Sequence, residues 1–431
     1  MRSTIHVFKF GGASVKDSTG IKNITEIIRT YAHHPLVIIV SASGKTTNNL
    51  EAVIQAFYSN SPELHDKVDI VKKYHFDIAG ELFPEKHPVF DTLNNLFVEL
   101  EWILEDGPVQ DYDYTYDQVV SLGEMLSTQI VAAFLNDSGI NTQWLDARDI
   151  IRTDSTYREA QIDWESTEEN VQKKIVNDVL ASNKLAITQG FIGSTTDNQT
   201  TTLGREGSDF SAAIISYCVN AVDMTIWKDV PGVLSADPRL FKHVQKLDQL
   251  SYREAIEMTY YGASVIHPKT IKPLQNKNIP LYVKSFINPG DEGTFIGPDV
   301  EEHYPPLVVV EKNQILLHIS SKDFSFVVEH HMAYLFKLFA ELRIFVNMMR
   351  NTAISFTVCV PNVPDRISRL LDILDENYIV KIEHDLELLT IRHYQEEVLR
   401  SITKGKIILL EERLRNTIQM ITKDVPVMER I

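Results

Sequence analysis

Thr200 to Asp209 reads TTTLGREGSD, a stretch whose residue types suit the handling of a small anion. Gly204 and Gly207 free the turn. Ser208 can cap the helix that follows, in which Phe210, Ala213, Ile214 and Tyr217 fall at helical spacing. A helix start presents unpaired N–H groups and the positive end of its dipole, a setting that binds anions. Arg205 adds a planar fork for a carboxylate or phosphate. Asp209, in the first turn, can orient a lysine or a metal. An ordinary capped helix behind a polar loop satisfies the same pattern.

Other stretches share this setting. Lys9 precedes Gly11 and Gly12. Glycines let the backbone approach a phosphate, and the lysine supplies a compact positive charge. A strand-to-helix turn with a solvated lysine uses the same residues. Ser41, Ser43, Thr46 and Thr47 make a hydroxyl-rich turn that fits a small polar substrate. Its Gly44-Lys45-Thr46 is not a Walker A loop, because that motif needs a glycine where Ile39 stands. Glu124, near a helix start, can accept an amino group or serve as a first-turn acid favoured by the dipole. Lys228, Asp229 and Arg239 surround Pro231-Gly232, and two cations in one loop suit a nucleotide or plain surface. No set of His, Cys and carboxylate has metal-ligand spacing, so no protein metal site is expected.

These residues need a scaffold, and the apolar pattern describes one. Ile5 to Phe10 reads as a strand, Ser18 to Tyr31 as a helix, and Leu36 to Val40 as a buried parallel strand. Strand, glycine turn and helix, twice over, give an α/β sheet with its ligand at the C-terminal strand ends. Residues 61–111 change to charged helix-period sequence, a helical insertion. Pro and Gly residues near 297 mark a boundary, so residues 1–297 form one domain. Residues 298–431 form an α+β region close to two ferredoxin-like repeats. Its expected strands are Ile315–Ile319, Ile344–Met348, Ile354–Val360, Ile379–Ile382 and Leu386–Ile391, and its last element is a helix over Glu411–Ile421.

The 431 residues bound this reading. With 44% hydrophobic and 23% charged residues, the chain has a soluble globular composition. Neither a leader nor a membrane span is expected, since no apolar run approaches ~18 residues. Cys218 and Cys359 lie apart in apolar surroundings, as buried thiols of a reducing cytoplasm would. A net charge of −17 argues against a nucleic-acid partner and means that an anionic substrate needs local cations.

Taken in order, the motifs resemble those of aspartokinase. They are Lys9-Phe10-Gly11-Gly12-Ala13-Ser14-Val15, Ser41-Ala42-Ser43-Gly44, Ser121-Leu122-Gly123-Glu124, Thr188 to Gly193, Thr202 to Asp209 and Trp227 to Val233. The match spans Lys9 to about Phe295, and the C-terminal region looks like the paired ACT regulatory domains of the same enzymes. The resemblance implies an amino-acid-kinase-like α/β fold, a three-layer parallel-rich sheet followed by an α+β pair of ferredoxin-like ACT domains. It implies ATP- and Mg2+-dependent phosphorylation of the L-aspartate β-carboxylate in a cytoplasmic homodimer paired through the ACT region.

Carried over by position, Lys9 and Asp209 are catalytic. Thr47, Glu124, Arg205 and Ser208 hold aspartate. Lys9, Phe10, Gly11, Gly12, Lys228, Asp229, Leu234 and Arg239 hold the nucleotide. Ser325, Val346 and Asn347 belong to a regulatory pocket for a lysine or threonine effector. The chain departs from the family at Glu206, where a small residue is usual, at Ser264, where a lysine is common, and at Asn347, where an aspartate is common. Two alternatives stay open: a kinase of the same fold acting on another carboxylate such as N-acetylglutamate, and an inactive amino-acid-binding sensor.

Overall fold

The computed structural model describes residues 4–105, 107–263, 266–301, 303–322 and 329–424. They form two compact units. The first comprises Met1–Val233, Lys246–Ile256 and Val265–Glu302, and the second Leu234–Gln245, Glu257–Ser264 and His303–Ile431. This differs from a single cut near residue 297. Leu234–Gln245 groups with the C-terminal region because Ala236 and Phe241 pack on Val308, Leu389, Ile391, Ile418 and Met420.

The strands of the first unit are β1 (His6–Phe10), β2 (Leu36–Val40), β3 (Thr142–Leu145), β4 (Leu185–Gln189), β5 (Ile192–Ser194), β6 (Thr200–Thr202), β7 (Asp223–Lys228), β8 (Gln249–Ser251), β9 (Leu281–Ser285) and β10 (Thr294–Gly297). Eight of them form one sheet in the order β3-β4-β2-β1-β7-β9-β10-β8, while β5 and β6 pair apart as a hairpin. The central pairings are parallel: Lys9 stands opposite Ile39 of β2 and Ile226 of β7. Every residue of β2 and β4 is buried, as expected of strands covered by helices on both faces.

Helices α1 (Ser18–Tyr31), α2 (Thr46–Tyr58), α3 (Leu64–Leu82), α4 (Val89–Glu105), α5 (Tyr112–Val120), α6 (Leu122–Asp137), α7 (Trp164–Asn170), α8 (Gly207–Cys218), α9 (Tyr252–Tyr260) and α10 (Pro268–Lys277) follow in chain order. Helices α3 and α4 lie within residues 61–111, and their Val71, Ile78, Leu93 and Phe97 join the core that contains Phe8, Ile38 and Ile130. The stretch Tyr112–Asp137 is long and apolar enough to cross a bilayer, but 78% of its most apolar window is buried inside the fold.

The second unit is one antiparallel sheet. Its elements are β11 (Leu307–Ser321), α11 (Glu329–Glu341), β12 (Met348–Asn351), β13 (Ser355–Pro361), α12 (Pro364–Leu374), β14 (Tyr378–Arg392), α13 (Glu396–Ile402), β15 (Lys406–Arg413) and β16 (Thr417–Asp424). The order is β12-β13-β11-β14-β16-β15. From β11 to β14 the elements run βαββαβ, the ferredoxin-like pattern. The second repeat is assembled differently. The register of β11 with β14 shifts between Glu311 and Gln314. Only Gln314–Ser320 of β11 pairs with β13, and only Glu387–Arg392 of β14 pairs with β16. Each 15-residue strand therefore serves one repeat with each half.

Three expectations for this region need correction. Ile379–Ile382 and Leu386–Ile391 are one strand, continuous through Asp385, whose φ is +61°. Of Ile344–Met348 only Met348 is in a strand. Glu411–Ile421 is not a helix but the end of β15, a turn and most of β16. Ile418 and Met420 enter one core cluster and Ile421 another, so the two faces of an extended strand are both buried.

One buried side chain joins the helices to the hairpin that precedes the Gly204 turn. Asp117 of α5 accepts from the Thr202 N–H (2.8 Å), the Thr202 hydroxyl (2.7 Å) and the Arg158 N–H (3.0 Å). Burial raises its carboxyl to about 6, against the pull of these donors. Asp117→Ala leaves the three donors unmatched. It should cost about 2–4 kcal/mol, measured by urea denaturation, with Asp117→Asn less severe.

Candidate active site

The C-terminal ends of β1, β2 and β7 converge with the starts of α2, α6 and α8, and the expected residues are distributed over these ends. Lys9 is the fourth residue of β1 and is 8% exposed. Its Nζ lies 2.6 Å from Oδ1 of Asp209, in the first turn of α8. Burial would raise the Asp209 carboxyl, but Lys9 and Lys228 hold it below its ordinary value. The two catalytic candidates are thus one buried ion pair, with Lys228, at the end of β7, contributing at longer range.

Phe10 and Trp227, opposite one another on β1 and β7, stack with ring centroids 6.0 Å apart and fix the strand ends beneath this pair. Phe10 is wholly buried, so its side chain is core rather than nucleotide contact. Gly11 leaves room beside the lysine, since a Cβ there would stand 3.5 Å from Nζ. Gly12 is needed for a close approach: a Cβ would stand 2.6 Å from the Ala42 carbonyl oxygen. The Gly44 N–H donates to the Gly12 carbonyl (3.0 Å), so the turns after β1 and β2 are joined.

Glu124 completes the convergence. It is 3% exposed in the first turn of α6, and the Ala42 N–H donates to its Oε1 (3.2 Å). Among the described residues, Oε2 has no hydrogen-bond partner. Burial pushes the carboxyl up to about 8, opposed by the Ala42 hydrogen bond and the charge of Lys9. A neutral, half-satisfied acid in this position is ready to ionise against an incoming cation. Thr47 is half-buried in the first turn of α2. The neighbouring Thr46 hydroxyl donates to the Ser43 carbonyl (2.7 Å) and lies 3.3 Å from Nε2 of His75, a buried histidine of α3. That contact ties the helical insertion to the hydroxyl-rich turn.

Arg205 is exposed and has no acidic partner among the described residues. The adjacent Glu206 does not take it. Glu206 adopts φ +54° as the N-cap of α8, and its Oε2 accepts the His267 N–H (2.9 Å). The negative charge at this departure from the family pattern is therefore committed to α10, whose N-cap is His267. Ser208 does not cap α8. It lies inside the first turn, buried against Gly190, where a Cβ would stand 2.6 Å from the Ser208 Cβ.

The remaining nucleotide candidates separate. Asp229 is exposed in the loop after β7. Leu234 and Arg239 belong to the second unit, where Arg239 forks onto Asp237 (2.7 and 3.0 Å). Ser264 and Ser325 lie outside the described residues. Val346 is half-buried against the core of the second unit. Asn347 donates from Nδ2 to Glu311 (2.9 Å) and Gln314 (3.1 Å). The carboxylate expected to be missing at Asn347 thus stands beside it, as Glu311.

The family model for the amino acid kinase family matches residues 4–285. Aspartokinase 1 of Arabidopsis thaliana, chloroplastic, is 33% identical over 363 residues, covering 82% of this chain and 62% of its own length. Lysine-sensitive aspartokinase 3 of Escherichia coli is 32% identical over 324 residues, covering 74% of this chain and 70% of its own. The chain belongs to the aspartokinases of the amino acid kinase family. It spans less than two thirds of the length of the Arabidopsis relative. E. coli aspartokinase III, solved in complex with aspartate and ADP in an R-state, superposes with a TM-score of 0.82 at 26% identity, covering 97% of this aspartokinase chain and 96% of that one. The same E. coli enzyme with lysine and aspartate in a T-state gives 0.80.

Three residues that the sequence does not single out position the candidate site. Gln189, ending β4, accepts the Ala147 N–H (2.7 Å) and donates to the Thr128 hydroxyl (2.8 Å) one turn beyond Glu124. Asp117 and His75 act similarly. A single Asp, Gln or His inside a helix or strand gives no spacing signal by which to find it.

Two stability outcomes follow from this geometry. Lys9→Ala leaves Asp209 buried without its cation and should destabilise the protein by about 3–5 kcal/mol. The double variant Lys9→Met/Asp209→Leu should recover most of that loss in the same thermal melt. In the second unit, Asn347→Asp would set a carboxylate about 3 Å from that of Glu311, raising the pKa of one of them. Folded-state pKa values above the unfolded ones mean stability lost as pH rises. The variant's melting temperature should therefore fall further below that of the parent at pH 7 than at pH 5.

Proposed function

We propose that the protein transfers the γ-phosphoryl group of ATP to the β-carboxylate of L-aspartate, giving 4-phospho-L-aspartate. The observation that carries this reading is Glu124, buried, raised in pKa and with one oxygen unmatched, close enough to Lys9 to feel its charge. A free ammonium group satisfies such an acid, whereas an acylated amine does not need it. The named ligands of the E. coli relative, aspartate and ADP, fit the same assignment.

The chemistry needs little beyond positioning. A free aspartate side chain ionises near pH ~3.9, so at neutral pH it is already an anionic nucleophile and requires no general base. The obstacle is repulsion between that anion and the phosphates, roughly 4 kcal/mol for unit charges at ~4 Å and an effective dielectric of about 20. Lys9 supplies positive charge where the phosphoryl group would pass, and Asp209 fixes the ammonium group until phosphate oxygens compete for it. Arg205, without an acidic partner among the described residues, is available to the substrate α-carboxylate. Gly11 and Gly12 leave the phosphate path open, and Lys228 and Asp229 serve the nucleotide. Among the described residues there is no cluster of three His, Cys, Asp or Glu. Magnesium, bound chiefly through nucleotide phosphates, would neutralise charge on them.

The second unit takes a regulatory role in this reading. Its edge strands β12 and β15 carry exposed Met349, Ile407 and Ile408, which a second copy of the sheet would cover in a homodimer. An effector amine, that of lysine or threonine, would meet the Asn347–Glu311 pair. The E. coli relative is named for sensitivity to lysine and has been solved with it.

Turnover should require magnesium and L-aspartate, measured as ADP release. N-acetylglutamate stimulating equally would sink the assignment. Because Glu124 must lose its proton to receive the substrate amine, KM for aspartate should fall as pH rises from 6 to 8, by at most about tenfold per unit, and level off above 8. Glu124→Gln should raise KM and abolish that slope.

A further inference from the structure

Outside the Lys9–Asp209 site, α8 and α10 pack side by side and leave a surface cavity of about 350 Å3 within the first unit. That volume is at the lower end of small-molecule sites. Phe210 and Tyr217, two turns apart on α8, form one wall. Lys269, Lys272 and Asn276 succeed one another at three- and four-residue spacing along α10 and form the other. Trp164, the first residue of α7, closes an end and remains 39% exposed. It meets Tyr217 edge-to-face, with centroids 5.2 Å apart.

The cations around this groove are not equivalent. Lys277 is committed: its Nζ lies 3.8 Å from the centre of the Tyr217 ring, donates to the Tyr217 carbonyl (2.8 Å) and pairs with Glu168 (3.4 Å). It braces the aromatic wall. Lys269 and Lys272 have no acidic partner among the described residues. In a chain of net charge −17, carboxylates are abundant. Two neighbouring lysines with no acidic partner among the described residues, beside a partly exposed indole, place positive charge next to a flat apolar surface.

We propose that this groove binds a planar aromatic ring carrying a phosphomonoester, the ring lying against Trp164 and Phe210 and the phosphate between Lys269 and Lys272. Two ammonium groups one helical turn apart suit a dianion better than a carboxylate. Asn276 extends the polar wall beyond the lysines. A nucleoside monophosphate and a simpler aryl phosphate share this chemistry.

The test is fluorescence titration of the intact chain with AMP, UMP and phenyl phosphate. The Trp164 component is isolated by difference from Trp164→Phe. Saturable change in that component with AMP and UMP alone would support a nucleotide occupant, and change with phenyl phosphate as well would support a general aryl phosphate site. Adenosine and inorganic phosphate should each bind at least about tenfold more weakly than AMP. Lys269→Ala/Lys272→Ala should weaken AMP by about tenfold or more at this site while leaving KM for ATP unchanged. The proposal is overturned by any of three results: no Trp164 response at millimolar ligand, adenosine binding as tightly as AMP, or AMP binding unaffected in the double lysine variant.

Discussion

The buried pair of Lys9 and Asp209 constrains the rest of the first unit. Removing two charges from water costs several kcal/mol for each, and their attraction offsets this only if the geometry is held closely. The holding is done by backbone. Lys9 has no freedom along β1 because Ile39 and Ile226 flank it in register in a three-strand parallel core. Asp209 sits at the start of a helix whose first turn is locked by Gly190 against Ser208 and by Phe191 against Gly207. The aromatic stack of Phe10 on Trp227 keeps β1 and β7 from sliding beneath the pair. Glycine at 12 then follows as a necessity, since a Cβ there would stand 2.6 Å from the Ala42 carbonyl oxygen.

Glu124 is the electrostatic complement of that pair. One site holds two opposite charges 2.6 Å apart, and a second holds a carboxylate with one oxygen unmatched among the described residues. In the proposed reaction, Glu124 would receive the ammonium group of the substrate and Lys9 would face the phosphate. A chain with a strongly negative total charge can admit anionic molecules on these terms. The added negative charge of Glu206 is taken up internally by the His267 N–H. The same reasoning explains why the Glu206 departure does not cancel Arg205.

Glycine turns, buried strands and the order of motifs made the first unit legible, because parallel strands in α/β folds are continuous apolar runs and their ligand turns are glycine-rich. Lys9, Glu124 and Asp209 could be named from such turns. Their pairing could not, since which acid meets which base depends on strand order, and β1 lies beside β7 as well as β2. Asp117, His75 and Gln189 were invisible for the same reason: their partners are 29 to 85 residues away. The second unit was read less well. Thr417 to Thr422 mixes apolar and polar residues at a spacing that a short helix also fits, and only burial of both strand faces decides the matter.

The strand sharing in that second unit carries a mechanical consequence. Two separate ferredoxin-like repeats could each shift alone. Here β11 and β14 pass through both repeats, so a change of register in one half meets the other half through the covalent backbone. The break between halves is localised: the β11–β14 register slips between Glu311 and Gln314, and Asn313 and Asp385 adopt left-handed conformations there. Asn347 binds both Glu311 and Gln314, the two sides of that slip. A ligand that competes for these hydrogen bonds therefore acts where the two repeats can be loosened or locked with the fewest pairings disturbed. At this bulge Asn347 offers the Glu311 carboxylate an amide donor.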